Sequence, residues 1–368
     1  MTINQVIPED YERQLAEKRV RIEAEFACFE LPDIELFASP PEAYRLRAEF
    51  KIWHEAGRAD YAMYRPGHSK KPFIIDTFPV GSERIQALMP PLREAINESG
   101  NLSHKLFQVE FLTTLSGQAL ITLIYHRPLD QTWEAEARRL ETLLDAHIIG
   151  RSRKQKRVLS RDYVMETMRV AGRDYHYQQV ETGFTQPNGH VCQKMLNWAV
   201  DKSRGLGGDL LELYCGNGNF TLPLAQNFDK VLATELTKSS LVSADYNKIL
   251  NKINNLNLVR MSSEDFAQAM ARVRPFRRLE HVDLDSYRFR SVFVDPPRAG
   301  LDPDTVRLAQ TFDQILYISC NPDTLKHNLD TITKTHRPSA FALFDQFPYS
   351  HHLECGVVLE RRQPKTVR

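Results

Sequence analysis

The chain has 368 residues, 42% of them apolar and 26% charged, an ordinary balance for a soluble protein and enough length for two domains that each bury a core. Forty-eight basic residues against 47 acidic ones leave a net charge of +1, which argues against a general nucleic-acid coat but permits a local basic face. Apolar runs such as Ala119-Leu120-Ile121 fall far short of the roughly 20 residues that cross a bilayer. The start of the chain is polar, with Glu9, Asp10 and Glu12, so no signal peptide, no membrane partner and a cytoplasmic location are expected.

In chain order, Tyr44 to His54 alternates basic and apolar residues, a half-exposed strand pattern. Ser82 to Asn97 reads as an amphipathic helix, Phe107 to Leu115 and Gln118 to His126 as a hairpin around Ser116-Gly117, and Thr132 to His147 as a second helix. Residues 1–175 are therefore expected to form an N-terminal mixed α/β domain. Arg151 to Arg173 carries eight basic residues against two acids, Asp162 and Glu166. That stretch is either a solvated linker or a phosphate-contacting stripe.

From about residue 176 the pattern turns to strand, loop and helix in repetition. Strands are expected at Leu210–Tyr214, Val231–Leu236, Leu258–Met261, Ser291–Val294, Ile315–Ser319, Phe341–Phe347 and Gly356–Glu360, with helices at Ser239–Lys252 and Asp265–Val273. Such alternation implies an α/β, doubly wound, mostly parallel sheet over 176–368, with ligands at the carboxyl ends of the strands.

The five cysteines, Cys28, Cys192, Cys215, Cys320 and Cys355, are odd in number and contain no C-x-x-C pair, so a zinc or iron–sulfur site and a disulfide framework are not expected. At least one thiol is free for chemistry. Cys320 stands at the end of an expected strand, in Ile318-Ser319-Cys320-Asn321-Pro322, where a side chain opens onto the ligand crevice. Cys215 reads as a packing residue, and the other three as structural.

Glu212-Leu213-Tyr214-Cys215-Gly216-Asn217-Gly218-Asn219-Phe220 joins a strand to a helix, and its glycines permit a tight turn with close approach of backbone to ligand. Glu235 ends the next strand 19 residues after Gly216, where a carboxylate can accept from ribose hydroxyls. The position of a third dinucleotide-type glycine is Thr221, so NAD is disfavoured, and the loop resembles motif I of class I S-adenosylmethionine methyltransferases. Ser262 to Phe266 resembles their adenine-side loop and could equally be a helix cap. In Val294-Asp295-Pro296-Pro297-Arg298 the prolines stiffen the loop that carries Asp295, and Arg298 replaces the aromatic residue of amine methylases. Glu354, between Leu353 and Cys355, is either an edge residue or a base in a pocket. His351 and His352 could pair on a metal only if adjacent side chains faced one another, so no metal is expected.

A thiol, a carboxylate and a cofactor pocket around one base fit carbon-5 methylation of uracil. Carbon 5 is a poor nucleophile until a thiolate adds to carbon 6, and a base must afterwards remove the carbon-5 proton. Phe184-Thr185-Gln186-Pro187-Asn188, the Tyr214–Gly218 loop, Asp295-Pro296-Pro297-Arg298, Ser319-Cys320-Asn321-Pro322 and His352 through Gly356 occur in that order. Together they resemble the RNA uracil-C5 methyltransferases, most closely the bacterial tRNA (uracil-5-)-methyltransferases, over nearly the whole chain. The resemblance implies a class I (Rossmann-like) methyltransferase domain behind an N-terminal RNA-binding domain. It implies Cys320 as nucleophile, Glu354 as proton acceptor, and Gln186, Tyr214, Gly216, Asn219, Glu235 and Asp295 around S-adenosyl-L-methionine. It further implies a uridine at T-loop position 54 of tRNA, with the tRNA-like loop of tmRNA as a second substrate, a monomeric enzyme, and Phe107 toward the RNA. The cysteine set of the iron–sulfur-bearing ribosomal-RNA relatives is missing. A ribosomal-RNA enzyme, a cytosine-C5 enzyme and a non-catalytic RNA-binding protein stay as alternatives.

Overall fold

The computed structural model describes residues 6–65 and 68–363. They divide into two units, one built on Pro40–Thr167 and Gln178–His190, the other on Glu9–Ser39, Met168–Tyr177 and the stretch from Val191 onward. The division expected from the sequence is at 175; in these units an N-terminal helix–strand segment falls in the second and a segment beyond 175 in the first.

The first unit holds a seven-stranded sheet in the order His68–Ile74, Arg58–Arg65, Arg47–Glu55, Leu106–Thr113, Ala119–Tyr125, His147–Ser152, Gln155–Val158. All its neighbours are antiparallel except the parallel pair Ala119–Tyr125 and His147–Ser152. Helices Glu83–Glu98 and Gln131–Leu144 start at side-chain caps, Ser82 accepting from the Ile85 N–H and Asp130 from the Trp133 N–H. The core is aromatic, with the Phe50 ring edge-on to Phe78 at 5.0 Å and to Tyr61 at 5.5 Å. The basic stretch is not a linker. It enters strands His147–Ser152, Gln155–Val158, Tyr163–Val170 and Arg173–Val180. Part of its charge is spent internally, since Arg151 and Lys156 both reach Glu181, at 2.7 and 3.1 Å.

The second unit holds an eight-stranded sheet. Its strands are β1 (Ile34–Phe37), β2 (Asp209–Leu213), β3 (Val231–Glu235), β4 (Leu256–Arg260), β5 (Phe289–Val294), β6 (Gln314–Ser319), β7 (His336–Phe344) and β8 (Glu354–Arg361), in the order β1-β7-β8-β6-β5-β2-β3-β4. β2 to β6 pair in parallel, and β8 is antiparallel to both β6 and β7. Where Phe341–Phe347 is the expected strand, the observed one is His336–Phe344, and the Asp345 N–H still donates to the Phe37 carbonyl of β1 at 3.0 Å. Fully buried parallel strands read as continuous apolar runs, and β2 is buried at every position. The order reverses between β2 and β5, the switch point where such sheets open a crevice at the carboxyl ends of their strands.

Candidate active site

The loop after β2 is shaped by its backbone. Tyr214, Gly216 and Gly218 all take positive φ, +64, +56 and +87°, and a Cβ on Gly216 would meet nothing within 4 Å, so open space lies beside its backbone. The Glu235 carboxylate, at the end of β3, accepts from the Gly216 N–H at 3.1 Å and from the Thr237 N–H at 2.6 Å. It thereby joins the two loops that flank the space. The Tyr214 hydroxyl shares a 2.6 Å hydrogen bond with Ser263, which brings the loop after β4 to the same place. Asn219 is held from below. Its carbonyl accepts from the Tyr177 hydroxyl at 3.0 Å and its amide lies 3.5 Å from Cys192 Sγ.

Asp295 follows β5, Cys320 follows β6, and Glu354 begins β8. The register aligns Ser319 with Cys355, so Cys320 and Glu354 come next to each other at one end of adjacent strands, with Asp295 on the far side of Cys320. Two hydrogen bonds tie the loop that carries Cys320 to the proline loop: the Asn321 side chain donates to the Arg298 carbonyl at 3.0 Å, and the Thr324 hydroxyl to the same carbonyl at 3.3 Å. Asn321 also caps the helix Pro322–Ile332, so the turn that carries Cys320 is closed at both ends. Gly300 is required where the proline loop ends. Its φ is +75°, and a Cβ there would lie 2.9 Å from Asn328 Oδ1. That same oxygen accepts from the Tyr317 hydroxyl at 2.8 Å.

These groups resist ionisation together. Burial, then the nearby Glu354 and Asp295 carboxylates, push the Cys320 thiol up to about 11, while Arg298 opposes the shift. Burial and then Asp295 raise Glu354 to about 8, and burial raises Asp295 to about 7. A carboxyl group that loses its proton near neutrality is matched to the work of a general base. Cys320 is the partly exposed cysteine of this group; Cys192, Cys215 and Cys355 are buried and Cys28 is exposed away from strand ends.

Of the expected site residues, Tyr214, Gly216, Asn219, Glu235, Asp295, Cys320 and Glu354 all lie at the carboxyl-end crevice of the second unit's sheet or on the strand that enters it. Gln186 lies in the first unit. Arg298 was expected only as a sign against amine methylation, yet its charge acts on Cys320 and its guanidinium donates to His352 Nδ1 at 3.3 Å. The signal was present in the run Asp295 to Arg298, four residues that leave the strand together. His351 and His352 do not face apart; their ring centroids are 3.9 Å from each other. Among the described residues no group of three or more histidine, cysteine or acidic side chains could hold a metal, and no helix is long and apolar enough to cross a membrane.

Residues 10–362 match the family described as tRNA (Uracil-5-)-methyltransferase. The chain is 60% identical over 352 residues to a tRNA/tmRNA (uracil-C(5))-methyltransferase of Cellvibrio japonicus (strain Ueda107), covering 96% of each chain. It is 56% identical over 361 residues to the protein of the same description from Saccharophagus degradans, covering 98% of this chain and 99% of that one. Among solved structures it resembles the Pyrococcus abyssi tRNA (uracil-54, C5)-methyltransferase in complex with S-adenosyl-L-homocysteine. The TM-score is 0.72 at 19% identity, over 95% of this chain and 83% of that one, a likeness of fold.

Proposed function

Because the chain belongs to the tRNA (uracil-5-)-methyltransferase family, we propose that it methylates carbon 5 of a uridine in tRNA, at T-loop position 54, and also in the tRNA-like loop of tmRNA. The observation that carries this reading is the meeting of Cys320, Asp295 and Glu354 at the ends of three strands, beside the loop after β2. We place the enzyme in the cytoplasm, acting as a monomer, with the first unit holding the T-arm.

Tyr214, Gly216, Asn219 and Glu235 would hold S-adenosyl-L-methionine, and the open space beside Gly216 with the Glu235 carboxylate at its edge suits a ribose. Gln186 joins them in this reading. The bound cofactor supplies an electrophilic methyl group on a sulfonium.

The chain's own residues do the rest. The Cys320 thiol gives up its proton to solvent and its sulfur bonds to carbon 6 of the uracil, moving the ring electron pair onto the carbonyl oxygen at carbon 4. Carbon 5, now electron-rich, accepts the methyl. Glu354, raised to about 8 by burial and then Asp295, releases its own proton to solvent before it acts. Glu354 then takes the carbon-5 proton; the released pair restores the 5,6 double bond, and the Cys320 thiolate leaves. The target base must be out of its stack to reach the sulfur.

Incubation of the purified chain with labelled S-adenosyl-L-methionine and unmodified tRNA, followed by nucleoside analysis, tests the reading. All label is expected in 5-methyluridine from the T-loop. Label in a cytosine, or binding of tRNA without transfer, would overturn it.

A further inference from the structure

The helix Tyr11–Glu25 stands more than 300 residues before Glu354 in sequence, yet one of its faces grips the loop that leads into that residue. Tyr11, Gln14, Lys18 and Arg21 recur at three- and four-residue spacing, which puts them on one stripe. Lys18 donates to Asp345 Oδ1 at 2.6 Å and to the Phe347 carbonyl at 2.9 Å. Gln14 donates to Asp345 Oδ2 at 3.3 Å and accepts from the Tyr349 N–H at 3.3 Å. Arg21 donates to the His351 carbonyl at 2.7 Å, and the Tyr11 ring meets Tyr349 edge-on at 6.1 Å.

The contacts fall on alternate residues of the loop: Asp345, Phe347, Tyr349 and His351. The loop starts where Phe344 pairs with Glu354 in the β7–β8 register, so it is the hairpin connection whose far end is the base. Just past the last gripped residue, His352 receives the Arg298 guanidinium. Tyr349 is held at φ +60°, a conformation that a tyrosine adopts only when its surroundings impose it. Lys18 is 5% exposed and Asp345 0%. Taking both charges out of water offsets most of their attraction, so an apolar pair would stabilise the fold as well. What the ion pair adds is a directed contact that fixes the register of helix and loop. The turn that carries Cys320 is held by different bonds, Asn321 N–H to the Ser319 hydroxyl and Asn321 and Thr324 to the Arg298 carbonyl.

We infer that Lys18, supported by Gln14 and Arg21, is a positioning residue for Glu354, so that the N-terminal helix governs release of the covalent RNA adduct and not methyl transfer. The inference rests on the reading of Glu354 as the base that takes the carbon-5 proton.

The experiment compares wild type, Lys18→Met, Arg21→Ala and Glu354→Gln in a single turnover with labelled S-adenosyl-L-methionine and unmodified tRNA. Methyl incorporation and the protein–RNA adduct that survives denaturation are followed in time. Lys18→Met should leave methyl incorporation within about twofold of wild type and lengthen the adduct's life by roughly tenfold or more, with a smaller effect for Arg21→Ala, since displacement of a catalytic group by an ångström costs up to about a hundredfold. The double variant Lys18→Met/Asp345→Asn leaves no buried charge unpaired and keeps the test open if Lys18→Met does not fold; it should show the same long-lived adduct. An adduct that decays at the wild-type rate in these variants overturns the inference, as does loss of incorporation in step with release. If Glu354→Gln traps adduct and the Lys18 variants do not, the inference alone fails. If Glu354→Gln traps none, the base assignment itself fails.

Discussion

The two sheets bury their strands differently, and the difference decides where each can carry chemistry. In the second unit β2 is buried at five of five positions and β6 at five of six, so these strands have no free face and can present functional groups only where they end. Asp295, Cys320 and Glu354 sit at such ends, in a place dry enough to move all three protonation equilibria. In the first unit Arg47–Glu55 alternates between buried and more exposed positions, leaving one polar face on which Arg47, Glu49 and Lys51 stand opposite Leu112, Glu110 and Gln108. A few fixed groups at a buried strand end suit bond-making. A broader face of mixed polar and charged groups suits many weak contacts.

The sharpest way to break this contrast is to remove one group from the strand ends. Cys320→Ala should abolish methyl transfer to the limit of detection while leaving the fold and cofactor binding intact, as read by nucleoside analysis and calorimetry. Retained transfer would end the covalent proposal. Glu354→Gln should slow turnover by about 10²–10⁴-fold, the usual worth of a general base, in steady-state assays. Glu235→Ala frees the Gly216 and Thr237 N–H groups and should weaken cofactor binding by about 10- to 100-fold, from the roughly 1.5–3 kcal/mol of a hydrogen bond to a charged group. An unchanged dissociation constant would remove Glu235 from the cofactor site.

In the first unit the same kind of change should show as stability. Glu181 binds Arg151 and Lys156; burial works against its charge, but those two bonds hold its carboxyl below the usual range. Glu181→Gln should cost about 1–3 kcal/mol in denaturant unfolding. The loss should shrink as pH falls through the folded-state value, because a depressed carboxyl stabilises only above it. Glu354 has the opposite sign. Raised from 4.5 to about 8, it binds its proton more tightly when folded, so between those values the unfolded chain has already released its proton and stability declines with rising pH. Glu354→Gln should therefore raise the melting temperature by a few degrees near pH 8, with no gain near pH 4. An equal gain at both would mean that Glu354 is not held neutral by burial.

What could be read from the residues follows the same contrast. β2, β3, β5 and β6 are short apolar runs closed by glycine, acid or proline loops, so both their type and the ends that matter were visible. The helix Tyr11–Glu25 was not, because its buried positions are Tyr11, Leu15, Lys18 and Ile22, and a lysine in the stripe hides an apolar period that only Asp345 completes. β1 was hidden for a related reason: four half-buried residues become a strand only through β7, which lies about 300 residues away in sequence. For the basic stretch from Arg151 the sequence leaves a solvated linker and a phosphate-contacting stripe both open, because Glu181, the carboxylate that Arg151 and Lys156 reach, lies beyond its end. In each case the missing information was a partner distant in sequence.

The central claim is a sulfur–carbon bond between Cys320 and the uracil ring. Digestion of Glu354→Gln protein after incubation with unmodified tRNA and S-adenosyl-L-methionine, followed by mass spectrometry, reads that bond directly. The expected product is the peptide containing Cys320 carrying a methylated uridine nucleotide. A nucleotide attached to any other residue, or no attachment while methyl still reaches the RNA, would contradict it.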